Sequence, residues 1–162
     1  MPTLRAVPGC LTEAAPMIIR FLAIILTGLA VIAPAAHLFE LRHKMQMSEQ
    51  DYFVVQRIYV GWWVVGLFLP ASLIANLALA VEVRDDKLAL WLAVAASALI
   101  IVNLAIFLIC TNPVNVATDN WTVKPKDWQT SRRHWEYSHA VNAGVTLLAF
   151  CAATLASLRM KA

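Results

Sequence analysis

The sequence predicts an all-α integral membrane protein, an antiparallel four-helix bundle, and three observations carry that prediction. The chain of 162 residues is 60% hydrophobic and 14% charged, whereas a soluble domain is nearer half apolar and about a quarter charged. The apolar residues fall into four blocks, each long enough to cross a bilayer at about 1.5 Å per residue. In lipid the backbone can be satisfied only within helices or closed barrels. Four apolar blocks separated by polar intervals therefore read as helices running up, down, up and down.

Residues 1–16 contain Pro2, Pro8, Gly9 and Pro16 without periodicity, and read as a flexible tail before a transmembrane domain over 17–162. The first helix is expected over 17–41. Ala33-Pro34-Ala35 has the look of a signal-peptidase site, but the block is long for a signal peptide. The second helix is expected over 51–82, its start projecting beyond the lipid. Pro70 should kink it by removing one backbone bond. Val83-Arg84-Asp85-Asp86-Lys87 is a tight charged turn, which joins antiparallel neighbours. The third helix, 87–111, is expected to stop at Pro113 with Asn112 as its C-cap. The fourth, 127–159, is polar in its first turns and membrane-like from Ala140 onward.

Four crossings put residues 42–50 and 112–126 on one side of a multi-pass protein. Lys and Arg divide evenly between the two sides, so they do not choose an orientation. Cys10, Cys110 and Cys151 are far apart and suggest neither a zinc site nor a disulfide framework. The net charge of +3 is scattered, with no basic stripe for nucleic acid. The partners expected are the lipid bilayer and a hydrophobic small molecule, with a homo-oligomer allowed.

Chemistry-bearing residues concentrate in the polar interval from Asn112 to His139 and in a second interval from His37 to Arg57. His37 and Glu40 share a helical face, and Glu136 and His139 repeat the spacing. Arg132, Trp135, Glu136, His139 and Asn142 make a polar stripe that continues into an apolar segment, where polar groups should face the bundle interior. Tyr52, Gln56, Tyr59 and Trp63 share a face of the second helix. One reading of His37, Glu40, Glu136 and His139 is a metal site, iron or another metal. Another pairs each acid with Arg42, Arg57, Arg132 or Arg133. A third is metal-free acid–base work, and a fourth has the two histidines ligating haem. Trp62, Trp63, Trp121, Trp128 and Trp135 sit where an aromatic belt belongs. Arg42, Lys44, Lys124 and Lys126 read as solvated interface charges.

His37, Glu40 and Lys44, then Tyr52 to Trp62, then Asn112-Pro113-Val114-Asn115 with Trp121, then Asp127-Trp128, Arg132, Trp135-Glu136 and His139 together resemble the anthrone-oxygenase-like family of small four-helix membrane proteins. Glu136 with His139 departs from the oxygenase pattern. The resemblance implies oxidation of a polycyclic phenolic carbon acid to a quinone by dioxygen, without a cofactor. It implies His139 or His37 as base, with Glu136 orienting His139. It implies Arg132 and Asn115 at the oxyanion, and a slot formed by Gln56, Tyr59, Trp62, Trp63, Trp121 and Trp135. The alternative from a different class is a non-catalytic membrane subunit whose polar loops bind a partner.

Overall fold

A computed structural model describes residues 9–159. Helix α1 spans Gly9–Lys44, α2 Glu49–Gln56, α3 Trp63–Gly66, α4 Phe68–Glu82, α5 Lys87–Ile106, α6 Asn112–Ala117 and α7 Trp128–Leu158. Four stretches are long and apolar enough to cross a membrane: Ala14–Lys44, Trp63–Glu82, Lys87–Ala117 and Trp128–Leu158. The protein is thus a multi-pass integral membrane protein. The crossings pack as a closed ring, α1 against α4 and α7, and α5 against α4 and α7. Part of the segment read as a tail, residues 9–16, belongs to α1, and residues 1–8 lie outside the described residues.

The packing is what lipid selects. Ala23, Ala75, Ala80, Ala89, Ala93 and Ala156 are buried around Leu79 and Val83, while Phe21, Ile32, Ile74, Trp91, Ile101 and Leu148 are exposed. Small side chains bring helix backbones together, and large apolar ones meet the acyl chains at no cost. Polar pairs tie the crossings. Asn76 Nδ2 donates to Thr27 Oγ1 at 2.8 Å, Asn103 donates to Thr146, and Thr111 and Ser138 share a bond of 2.7 Å. At the end away from the site, Arg20 pairs with Glu82 at 3.2 Å and donates to the carbonyls of Ser157 and Arg159. One guanidinium thus holds α1, α4 and the end of α7 together.

Two expectations about helix ends are corrected. The second helix is not continuous over 51–82. Residues Arg57–Tyr59 form a 3₁₀ turn, and Gly61 then takes φ +89°, a conformation only glycine adopts without strain. The crossing starts after this break. Pro70 has a smaller effect, the interruption at Leu67 between α3 and α4, next to the Gly66 carbonyl, to which Pro70 has no N–H to donate. Nor does Pro113 stop the third crossing. A π turn over Phe107–Thr111 carries the chain on, the Asn112 N–H reaching back to the Phe107 carbonyl. Pro113 then sits in the first turn of α6, where no donor is required. The crossing ends only at Thr118, followed by three left-handed residues, Asp119, Asn120 and Trp121.

Candidate functional site

The two polar intervals meet. Lys124 pairs with Glu49 at 2.7 Å, which fixes both on one side of the bundle. Between them the last turns of α1, the α2 segment and the first turns of α7 converge on Lys44. Its side chain is only 1% exposed, so its reading as a solvated charge is wrong. The ammonium lies 3.0 Å from Glu40 Oε2, 3.0 Å from His37 Nδ1 and 3.5 Å from Glu136 Oε1, and donates to the Tyr59 hydroxyl. That hydroxyl passes its own proton bond to Glu40. Tyr52 donates to Glu136 Oε1 at 2.9 Å, and Gln56 Nε2 lies 3.4 Å from the same oxygen. The acids therefore pair with a lysine and not with the arginines.

An ammonium can only donate, so His37 Nδ1 is the acceptor and the ring's proton is on Nε2. Stacked on His37 is His139, with centroids 4.2 Å apart and planes 28° from parallel. Trp135 sets its edge against both rings at 4.6 Å, and its Nε1–H is held by Asn115 Oδ1 at 2.7 Å. Burial first, and then the Glu136 charge, push the Tyr52 hydroxyl well above the usual phenol range. Burial first, and then the bond to Glu40, do the same for Tyr59. Both phenols are thereby kept as donors.

His37 and His139 line a cavity of about 820 Å³, together with Gln56, Tyr59, Trp62, Trp63, Asn115, Trp121 and Trp135. It descends past Pro34 and Asn103 to Asn142. Trp135 and Asn142 are seven residues apart on α7, so the cavity reaches about 10 Å into the bundle. Trp121 closes its upper wall from a strained left-handed backbone. It is held there by its N–H to Thr118 Oγ1 at 3.0 Å and by edge contacts to Tyr52 and Trp135. Strain of this kind persists only where packing over-determines it, and it clusters at functional sites.

Other expected roles are corrected. Glu136 bonds with Tyr52 and Lys44, with its Oε2 3.8 Å from His37, and so approaches His37 rather than orienting His139. Arg132 is not at the cavity wall. Its guanidinium lies 4.6 Å from the Trp128 ring centroid and donates to the Lys44 and Met47 carbonyls, where it caps the end of α1. Among the described residues no three His, Cys, Asp or Glu side chains are grouped to hold a metal. With Lys44 between Glu40 and Glu136, the set of His37, Glu40, Glu136 and His139 is already occupied by a cation. The histidine rings meet face to face, whereas two haem ligands must oppose their nitrogens across the iron. Of the tryptophans placed in a belt, Trp121, Trp128 and Trp135 are buried. Trp63 is 73% exposed and suits the belt as well as the cavity rim.

Lys44 was legible in part, since it stands on the same face of α1 as His37 and Glu40 at i+7 and i+4. Asn103, at the cavity floor, carried only the signal of a polar residue inside an apolar helix. No protein-family model matches this sequence, and neither a curated protein nor a solved structure matches it.

Proposed function

We propose that the protein is a membrane oxygenase acting on a flat, hydrophobic aromatic compound of the anthrone or quinol type. The observation that supports it most is a pair of imidazoles and a tryptophan edge at the wall of a cavity sunk into an apolar bundle, backed by a buried Lys–Glu–Tyr network. The polar intervals that resemble the anthrone-oxygenase-like family supply these same residues. An apolar cavity of this size with a few convergent polar groups is what a small-molecule site looks like.

His139 takes the base role. His37 Nδ1 is engaged by Lys44, whereas His139 meets its neighbours through ring faces and edges. His37, carrying its proton on Nε2, is the donor for the enolate oxygen, in place of Arg132. The substrate C–H breaks and its proton goes to His139. The carbanion gives one electron to dioxygen, the carbon radical and superoxide combine into a peroxide anion, and that anion takes the proton back from His139 to become the hydroperoxide. Loss of water across its O–O bond and the remaining C–H leaves the quinone carbonyl. One oxygen atom enters the product and the other leaves as water. The charged network holds His37 in one tautomer through this sequence.

Oxygen uptake by the detergent-purified protein supplied with anthrone tests the reading. His139→Ala and His139→Gln should each cut turnover by about 10²–10⁴-fold, the usual worth of catalytic proton transfer. Near-normal turnover in a folded His139→Gln sample moves the base role to His37. A wild-type rate no faster than the buffer rate removes the oxygenase reading.

A further inference from the structure

The outward face of α7 carries a second set of residues at helical spacing, Arg133, His134, Tyr137 and Val141. All four are exposed. With Ile106, Ile109, Cys110 and Pro113 of the third crossing they line a groove of about 620 Å³. Arg133 and His134 stand at the polar end of this groove. Val141 lies eight residues deeper than Arg133, about 12 Å along the helix axis. That is most of the roughly 15 Å that the hydrocarbon of one leaflet occupies. Because α7 starts at the polar end, its side chains tilt back toward that end. Arg133 and His134 therefore reach headgroup level, and Tyr137 sets its hydroxyl about one turn beneath them.

The cation at the mouth of the groove is not matched by the protein. The ion pairs at this end of the bundle use Lys44 and Lys124, and Arg133 enters none of them. The Asp127 carboxylate feels its charge but is held first by Thr130. Among the described residues no carboxylate lines the groove. We infer that the groove binds an anionic phospholipid, with its phosphate at Arg133 and His134 and one acyl chain along Ile106, Ile109 and Val141. A zwitterionic lipid brings the same phosphate, but its ammonium meets Arg133 with no acid in the wall to answer it. A second copy of the chain packed groove to groove would bring like charges together. The bound lipid spans the joint between α6 and α7, whose Asn115 and Trp135 hold the wall of the main cavity.

Native mass spectrometry of the detergent-purified protein, with dioleoylphosphatidylglycerol and dioleoylphosphatidylcholine added in equal amounts, tests this. Wild type should retain phosphatidylglycerol with at least about 5-fold preference, the usual worth of one basic residue toward an anionic lipid. Arg133→Gln should remove most of that preference. Arg42→Gln, which removes an exposed cation at the same end but outside the groove, should leave it intact. Cys110→Trp fills the groove between Ile106 and Pro113 without touching a charge, and should abolish the preference as well. The wild-type comparison stands even where a variant does not fold. Equal retention of the two lipids, or equal losses in Arg133→Gln and Arg42→Gln, overturns the inference. A lipid-free dimer also overturns it, since a second copy would then fill the groove. No readout here involves turnover, so the oxygenase reading stands or falls separately.

Discussion

Removing the Lys44 ammonium is the sharpest test of the buried network. In Lys44→Met a chain of similar length fills the space but donates nothing. Glu40 suffers little, because its side chain is 41% exposed and water replaces the lost pair. Glu136 is different, with a side chain that is 0% exposed and only 3.5 Å from the ammonium. Stripping one partner from a buried pair typically costs 3–5 kcal/mol. Tyr52 still donates to Glu136 at 2.9 Å, so the lower end, about 3 kcal/mol, is expected. Lys44→Met/Glu136→Gln removes both charges and should recover about 2 kcal/mol of that loss, because a neutral amide can keep the Tyr52 bond. Reversible unfolding in mixed micelles, followed by tryptophan fluorescence, reads all four corners of the cycle. A single-variant loss below about 1 kcal/mol, or losses that simply add, would refute the placement of Lys44 beside a buried carboxylate.

The remaining predictions concern the frame around the site. Cysteines substituted for Ser48 and Thr122 should be labelled from the same side of the membrane, and labelling from opposite sides would break the topology. Gly61→Ala should destabilise by about 1 kcal/mol, because φ +89° is strained for any side chain although nothing lies within 4 Å of the added carbon. Gly66→Ala meets equally open space at an ordinary φ, so its thermal midpoint should not fall; equal losses at both positions would discount the turn. The Asp127 carboxylate caps α7 and is held below the usual range, first by Thr130. Its contribution is therefore present above the unfolded-state carboxyl pKa of about 3.9 and lost as pH falls through the folded value. The stability difference between wild type and Asp127→Asn should be constant from about pH 5 to 8 and shrink below about pH 4, and a difference that grows in acid contradicts the cap.

The four crossings were legible because lipid imposes one rule on every residue of a span. A run of apolar side chains is required whatever the helix packs against, so length and composition were enough. Helical spacing also placed His37 with Glu40 and Glu136 with His139, since two residues on one helix share a face by geometry alone. What spacing could not say is which face meets which. Lys44 and Arg42 are equivalent cations two residues apart, yet only Lys44 turns toward Glu136, a residue on another helix. Arg132 was expected at the oxyanion from the resemblance, but its side chain crosses to the Lys44 carbonyl at the end of α1 instead. The break at Gly61 and the passage through Pro113 were decided the same way. Glycine permits a turn and proline removes a donor, but whether the chain bends or shifts its hydrogen-bond register depends on what the next segment can bury. By itself the sequence determined a four-pass helical protein with one polar end. Only the tertiary structure decided that this end holds a lysine between two carboxylates, two stacked imidazoles and a cavity beside them, because each of those arrangements is made of side chains from different helices.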